Sequence, residues 1–170
     1  MNLVLALDNI RSTYNVGAIL RTAEGFGVQT VIFGGITPMP NDFTLLPHLQ
    51  DKINRQIAKS ALGAESLLTL KRADDLSTEL TSAKTAGFQI LGLENHLPNN
   101  KLYQLNDPTL PTKLSNPALL VLGEEVHGID PTLFPLIDLF LEIPMTGKKE
   151  SFNVSVATGI ALYALQNALT

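Results

Sequence analysis

The 170-residue sequence contains no cysteine. This absence excludes disulfide bonds, a thiol nucleophile and a thiolate metal site, and it suits a reducing compartment. No apolar run is long enough to span a bilayer, and the N-terminus lacks the basic segment and small-residue cleavage site of a signal peptide. We therefore expect a cytoplasmic protein that has no membrane partner.

Charged residues are also few, at 16% of the chain, and the net charge is -4. With 45% apolar residues the chain is expected to fold, and its length suits one ordinary core. We predict a single domain over residues 1–170. Because phosphate contacts are made by Lys and Arg, the acidic balance argues against broad nucleic-acid binding, and any such contact would need a local basic patch.

The motifs of several enzyme classes are missing. No G-x-G-x-x-G follows the first apolar run, and neither a Walker A sequence nor a G-x-S-x-G elbow is present. The three histidines, His48, His96 and His127, show no metal-ligand spacing, so we expect no metal. His127 beside Glu125 is a candidate acid or base, although an exposed loop histidine is the simpler interpretation.

Short apolar runs alternate with segments of helical spacing. Most of the runs are continuous, which is typical of strands covered on both faces. The alternation predicts an α/β fold, with a parallel sheet and helices on both faces. The predicted strands are residues 3–7, 30–34, 66–70, 88–93, 118–123 and 139–144. The predicted helices are residues 16–26, 51–61, 73–86 and 154–169, with a short helical piece after Pro131.

Two other segments have a distinct character. Residues 95–116 are rich in Pro and Asn, and we interpret them as a surface connection with room for one short edge strand. The last predicted helix has a broad apolar stripe, which favours burial against a partner subunit as well as against the core. The stripe consists of Val154, Ala157, Ile160, Ala161, Ala164, Leu165 and Leu169.

Small polar residues and glycines gather after three predicted strands. In open α/β sheets, ligands bind at the carboxyl ends of the strands. Taken singly, a Ser or Asn before a helix is an N-cap, and a Gly after a strand is a turn. Their convergence at one sheet edge favours a binding site. The three corners contain Asn15, Gly17 and Arg21, then Gly123, Glu124, Glu125 and Gly128, and finally Ser151 and Asn153.

Together the three corners resemble the sequence motifs of the SpoU (TrmH-like) branch of the SPOUT RNA 2′-O-ribose methyltransferases. The segment "NVGAILRTA" resembles the family's N-x-G-x-x-x-R-T-A, and "VLGEEVHGI" resembles L-G-x-E-x-x-G-L. The segment "IPMTGKKESFNVSVATGIALY" resembles I-P-M-x-G-x-x-x-S-L-N-V-S-x-A. "GITPMP" followed by "KSALGAES" also resembles a region between the first two motifs, so the match covers nearly the whole chain in the right order.

The resemblance implies an α/β fold with a deep C-terminal trefoil knot, S-adenosylmethionine bound in the knot, and a homodimer. It implies transfer of a methyl group to a ribose 2′-hydroxyl of tRNA or rRNA. The chain has no room for the extra RNA-binding domain of many rRNA members, which favours tRNA. The implied cofactor-binding residues are Leu93, Glu94, Leu122, Gly123, Glu124, Gly128, Ile143, Met145, Ser151, Phe152, Asn153 and Val154.

The resemblance also implies catalytic roles. Arg21 matches the family's catalytic arginine, and Asn15, Glu125, Ser151 and Asn153 match its other motif polar residues. A guanidinium stays protonated in proteins, so we favour Arg21 as a clamp on a phosphate or on the developing alkoxide, and the general base stays open. Glu125 is expected to orient Arg21 or Asn15, and Arg21 is expected to serve the partner subunit's cleft.

Two residues depart from the family pattern. Glu124 stands where many members have Asn or Ser, and Val126 stands where many have Gly; because Val seldom adopts a positive φ, the loop is expected to differ locally. A knotted RNA-binding protein without methyl transfer is therefore the alternative, and a small-molecule α/β enzyme is a third. Candidate RNA-contacting residues are Arg11, Arg21, Lys52, Arg55, Lys59, Lys148 and Lys149.

Overall fold

The computed structural model describes residues 2–95, 97 and 102–168. The strands are β1 (Leu3–Asp8), β2 (Thr30–Gly34), β3 (Thr69–Arg72), β4 (Gln89–Leu93), β5 (Leu102–Gln104), β6 (Ala118–Leu122) and β7 (Leu139–Glu142). The α-helices are α1 (Thr13–Gly25), α2 (Pro47–Ala61), α3 (Leu76–Thr85) and α4 (Val154–Ala168). Short 3₁₀ helices occupy Ala64–Ser66, Leu110–Lys113 and Pro131–Leu136.

The seven strands form one sheet in the order β3-β2-β1-β6-β4-β7-β5. Each neighbouring pair is parallel. The predicted parallel α/β sheet is thus confirmed. Because all strands run the same way, the loops that follow β1, β4, β6 and β7 leave from the same edge, where the polar corners of the sequence were predicted to meet. The C-terminal trefoil knot that the resemblance implies stays a prediction.

Alternate side chains of the strands enter two separate cores. Leu5, Leu120 and Leu141 face one core, which α1, α2 and α4 cover. Val121 and Phe140 face the other core, which α3 and the 3₁₀ helix at residues 131–136 cover. Helices therefore lie on both faces of the sheet, as predicted. Because both faces of the strands are covered, the strand sequences are continuous apolar runs.

Four predicted starts were wrong by three or four residues, each for a local reason. Helix α1 begins at Thr13 and not at residue 16, because the side chain of Ser12 caps it. Helix α2 begins at Pro47 and not at residue 51, because the fixed φ of Pro suits the first helical turn. Helix α3 begins at Leu76 and not at residue 73, because the side chain of Asp75 accepts hydrogen bonds from the first backbone N–H groups. Residues 64–66 form a 3₁₀ turn, so the third strand begins at Thr69 and not at residue 66.

The surface connection contains the one short edge strand for which the sequence left room. This strand, β5, pairs with β7 at the outer edge of the sheet. Leu169, the last residue of the predicted apolar stripe, lies outside the described residues. Among the helices of the described ranges, none has both the length and the apolar character needed to cross a membrane.

Candidate functional site

A cleft of about 290 Å³ opens where β4 and β6 end and α4 begins. Its walls come from three segments that are far apart in the sequence but leave the sheet at one edge. Two predicted cofactor-binding residues, Met145 and Asn153, do not line it. The other ten of the twelve do, namely Leu93, Glu94, Leu122, Gly123, Glu124, Gly128, Ile143, Ser151, Phe152 and Val154.

Two glycines allow the loop after β6 to fold back on itself. The N–H of Glu124 donates to the carbonyl of Gly128 over 3.0 Å, and the N–H of Gly128 donates to the carbonyl of Glu124 over 3.1 Å. A Cβ atom on Gly123 would overlap the backbone of Gly128. Gly128 itself has a φ of 74°, and a Cβ atom there would overlap the carboxylate of Glu94. The loop therefore needs glycine at both positions.

The carboxylate of Glu94 joins two walls of the cleft. Its Oε1 accepts a hydrogen bond of 2.9 Å from the N–H of Asn95, just after β4. Its Oε2 accepts a hydrogen bond of 2.9 Å from the N–H of Ile129, in the loop after β6. Glu94 thus lines the cleft, and both of its carboxylate oxygens hold the backbone that shapes the cleft.

Glu124, the residue that departs from the family pattern, is held at the wall of the cleft. Its side chain is 8% exposed and pairs with His127, while Nε of Arg11 lies 3.2 Å from Oε2. The hydrogen bond from His127, opposed by burial and assisted by the charge of Arg11, lowers the pKa of Glu124. Oε2 is buried and accepts no hydrogen bond within the described part of the chain, because the Arg11 contact is an ion pair without hydrogen-bond geometry.

Three motif residues meet beside the cleft. Nδ2 of Asn15, in the first turn of α1, donates a hydrogen bond of 2.6 Å to Oε1 of Glu125. Nδ2 of Asn153 donates a hydrogen bond of 3.1 Å to Oδ1 of Asn15. The other end of the Asn153 amide caps α4, since Oδ1 accepts from the N–H of Ser155 over 2.9 Å. Asn153 is therefore both the N-cap of α4 and a member of the polar cluster beside the cleft.

The loop departs from the family pattern with little backbone strain. Val126 does not adopt a positive φ, and its side chain is exposed. His127 is also exposed, as the sequence indicated, and it contacts Glu124 rather than Glu125.

The predicted cofactor-binding set omitted several residues of this region. Asn95, Val126, His127 and Ala157 also line the cleft. Asp8, the polar end of the otherwise apolar β1, lines a neighbouring cavity of about 280 Å³. Burial raises the pKa of Asp8, the nearby charge of Asp130 adds to this, and hydrogen bonds from the Asp130 N–H and Asn9 oppose it. A lone carboxylate after an apolar strand was the only signal for Asp8.

Arg21 lies apart from the cleft. It is exposed on α1 and lines a surface groove with Ala18, Thr22, Lys59 and Ser60. Within one chain the structure therefore brings Asn15, Glu125, Ser151 and Asn153 to the cleft or its rim but does not bring Arg21 there.

Helix α4 has two apolar faces. One face enters the core through Val154, Ala161 and Leu165. The other leaves large side chains exposed at intervals of four and three residues, which places them on one side of the helix. These side chains are Val156, Ile160 and Tyr163.

The sequence and the fold were compared with known proteins. The model of the "SpoU rRNA Methylase family" matches residues 2–163. The 23S rRNA (guanosine-2'-O-)-methyltransferase RlmB of Pseudomonas aeruginosa is 33% identical over 163 residues, which are 96% of this chain and 58% of that protein. The tRNA (guanosine(18)-2'-O)-methyltransferase of Aquifex aeolicus is 29% identical over 97% of this chain and 69% of that protein.

A solved structure agrees with these sequence matches. The TrmH/SpoU tRNA modifying enzyme of A. aeolicus superposes with a TM-score of 0.76 at 25% identity, over 98% of this chain and 75% of that one. The chain spans under two thirds of the length of the P. aeruginosa relative, so the similarity concerns a part of that protein. On the family match over nearly its whole length, the chain belongs to the SpoU rRNA methylase family.

Proposed function

We propose that this protein is an S-adenosylmethionine-dependent methyltransferase that acts on a ribose 2′-hydroxyl of tRNA or rRNA. The main support is the cleft at the carboxyl edge of the sheet, where ten of the twelve cofactor-binding residues implied by the resemblance converge in a member of the SpoU family. The relatives described above are named as guanosine 2′-O-methyltransferases of rRNA and tRNA. The proposal includes one domain over residues 1–170 and a cytoplasmic location.

The residues of the cleft suit the cofactor. Leu93, Leu122 and Ile143 provide apolar walls for an adenine ring, and the Gly123–Gly128 turn allows backbone to approach closely. Among the described residues, none donates a hydrogen bond to the buried Oε2 of Glu124, and a ribose hydroxyl or an amine could supply that donor. When bound, the cofactor supplies a sulfonium methyl group: a carbon–oxygen bond forms at the ribose 2′-oxygen, the carbon–sulfur bond breaks, and the hydroxyl proton leaves.

The chain's own side chains would position the ribose. Both ends of the Asn15 amide are engaged, one with Glu125 and one with Asn153, so the rim of the cleft is fixed before the substrate arrives. Fixed polar groups lower a reaction barrier because they need no reorganisation as charge develops. Ser151, exposed in the cleft wall, is placed to contact the cofactor or the ribose. The general base stays unassigned.

Arg21 would complete the site from a second subunit. It does not line its own cleft, since it lines a groove between α1 and the C-terminal end of α2. The exposed apolar face of α4 is the kind of surface that a subunit interface covers. We therefore infer a homodimer in which each Arg21 guanidinium, with its fixed positive charge, acts at the other subunit's cleft.

The experiment that tests the function is transfer of tritium from labelled S-adenosylmethionine to bulk tRNA and to bulk rRNA. We expect label in one RNA pool, in 2′-O-methylated nucleosides, and its loss in Arg21→Ala. Arg21→Lys should also fail, because Lys lacks the bidentate fork of Arg. Glu24→Ala is the control, since Glu24 is exposed on the same helix.

The alternatives predict other results. A knotted RNA-binding protein without methyl transfer would bind RNA but show no thermal stabilisation by S-adenosylhomocysteine. A small-molecule enzyme would be stabilised by S-adenosylhomocysteine, leave both RNA pools unlabelled and be indifferent to Arg21→Ala. Either result would refute the proposed function.

A further inference from the structure

We propose that the exposed face of α2 is the surface along which the RNA backbone lies, and that Phe43 stacks on an unpaired base at one end of it. This inference rests on the proposed function, since it concerns how the RNA substrate reaches the cleft. It adds to the proposed function because the Lys and Arg residues of this acidic chain are scattered, and the inference assigns RNA contact to one group of them.

The basic residues of α2 form one stripe. His48, Lys52, Arg55 and Lys59 are all exposed and are separated by four, three and four residues. At 3.6 residues per turn this spacing places them on one narrow face of the helix. The buried Ile57 lies on the opposite face, so the stripe points away from the core. Two carboxylates lie beside it, Asp51 at its flank on the same helix and Glu65, which lines a groove with Arg55. Neither lies on the stripe itself.

The stripe is long enough to bind several phosphates, and it ends beside Arg21. From residue 48 to residue 59 the helix rises about 16 Å, which is enough to follow a run of phosphates. At its C-terminal end, Lys59 lines the same groove as Arg21, the predicted catalytic arginine. The N-terminal end follows the connection between β2 and α2, which contains Phe43.

Phe43 is presented on a fixed segment. The ring is 88% exposed. Its neighbour Asp42 is buried and pairs with Nη2 of Arg72 at 2.6 Å, and Nη1 of Arg72 donates to the carbonyl of Thr37 over 2.9 Å. Thus a large apolar ring faces water on a connection whose backbone is held from both sides, an arrangement that lowers the ordering cost of binding.

A second contact fixes the same connection against α2. The N–H of Asn41 donates to Oδ1 of Asn54 over 2.8 Å, and Nδ2 of Asn54 donates back to Oδ1 of Asn41 over 3.0 Å. Asn54 directly precedes Arg55 of the stripe, and Asn41 lies two residues before Phe43. The aromatic ring and the cations therefore belong to one continuous rigid surface.

This combination favours RNA over an acidic protein. Single-stranded nucleic acid is bound by a basic track that follows the phosphates together with aromatic rings on which bases stack. Specific RNA recognition mostly uses such unpaired bases. An acidic protein surface would satisfy the cations of α2 but would leave the exposed Phe43 ring without a matching partner.

The first test measures the affinity of Lys52→Gln and Arg55→Gln for fluorescently labelled bulk tRNA or rRNA, whichever pool is methylated. Each variant should bind about threefold to tenfold more weakly and reduce the slope of log affinity against log salt by about one. Lys113→Gln is the matched control, since Lys113 is exposed and lies outside the stripe, on the short 3₁₀ helix before β6. Equal effects in all three variants, or no effect in any, would overturn the inference.

The second test concerns the ring of Phe43. Phe43→Ala and Phe43→Leu should each weaken RNA binding about fivefold or more, because stacking on a base needs an aromatic face, while Phe43→Tyr should bind as the wild type does. Unchanged thermal stability would show that the fold is intact, as the exposure of Phe43 leads us to expect. Wild-type RNA affinity in Phe43→Leu would exclude stacking.

The two proposals can fail separately. If the wild-type protein neither binds nor methylates RNA, the function itself is wrong. If the wild type methylates RNA and the α2 variants bind RNA normally, the proposed function holds and only the assignment of α2 as the RNA-binding surface is wrong. RNA affinity that is normal in every variant would leave an acidic protein as the occupant of the stripe. Affinity for S-adenosylhomocysteine should be the same in all variants, because none of the changed residues lines the cofactor cleft.

Discussion

The side-chain amide of Asn15 lies between the side chain of Glu125, in the loop after β6, and that of Asn153, just before α4. Its Nδ2 atom is 2.6 Å from Oε1 of Glu125, and its Oδ1 atom is 3.1 Å from Nδ2 of Asn153. Because both ends of the amide are used, its orientation is set by its partners. Residues 15 and 125 are more than a hundred residues apart in the sequence, and residues 125 and 153 are about thirty apart. The three segments nevertheless share one small hydrogen-bond network.

Removal of the Asn15 amide should reduce methyl transfer more than substrate binding. In Asn15→Ala, we expect kcat to fall about tenfold to a hundredfold, because Glu125 and Asn153 lose their common partner at the rim. RNA affinity should change little. Steady-state tritium transfer would separate kcat from KM. Thr13→Ala, at the start of the same helix, is the control, and an equal loss there would point to damage of the helix instead.

The turn after β6 should depend on glycine at position 128, whereas the glycine at position 147, after β7, should be replaceable. Gly128→Ala forces a positive φ on Ala and places a Cβ atom against the carboxylate of Glu94. We therefore expect the free energy of unfolding to fall by about 1 to 3 kcal/mol. Affinity for S-adenosylhomocysteine should fall as well, since the cleft wall moves. Urea unfolding and calorimetric titration would measure both. Gly147→Ala has open space around its Cβ and should be close to neutral; similar losses in both variants would contradict the account.

The ion pair between Asp42 and Arg72 should stabilise the fold in a pH-dependent way. Burial alone would raise the pKa of Asp42, but hydrogen bonds from Thr44 and Arg72 outweigh it and lower the pKa. Asp42→Asn should reduce the free energy of unfolding by about 3 kcal/mol at pH 7, because it leaves the half-buried guanidinium without its counter-charge.

The sign of the pH effect follows from the lowered pKa. The carboxylate stabilises the fold above its unfolded pKa of about 4, and this contribution is lost as pH falls towards the folded pKa. The difference between wild type and Asp42→Asn should thus shrink below about pH 4. Lys71→Gln breaks the more exposed pair with Glu79 and should cost under about 1 kcal/mol. A constant difference from pH 7 to pH 3 would argue against a charge effect.

The exposed face of α4 should hold the dimer together. Ile160→Glu puts a charge in the middle of that face, and we expect light scattering to report a monomer at micromolar concentration. Methyl transfer should disappear with the dimer. Ser82→Glu adds the same charge to an exposed position of α3 and should remain dimeric. A wild-type monomer would refute the proposed assembly.

A mixing experiment tests whether Arg21 acts at the partner's cleft. Arg21→Ala and Asn15→Ala should each be nearly inactive alone. If the site is shared, a heterodimer of the two has one intact site, so an equal mixture should recover about a quarter of wild-type activity after subunit exchange. If each chain used its own Arg21, the mixture would stay inactive.

Much of the fold follows from local patterns in the sequence. The apolar runs located the strands β1, β2, β4, β6 and β7 to within a residue or two, because strands covered on both faces must be apolar throughout. The third strand was misplaced because the turn at residues 64–66 has no strong signal, and its register is set by pairing with β2. The start of α2 was predicted at residue 51, although Pro47 begins the helix, since Pro suits the first helical turn.

The family resemblance determined which residues to group, and ten of the twelve residues that it implied for cofactor binding line one cleft. Tertiary structure alone decided how they are joined, because hydrogen bonds such as the one between Asn15 and Glu125 link residues that are distant along the chain. It also decided that Arg21 faces a different groove and that Phe43 and the cations of α2 form one rigid surface. Spacing fixes which residues share a helix face, but only packing fixes what that face meets.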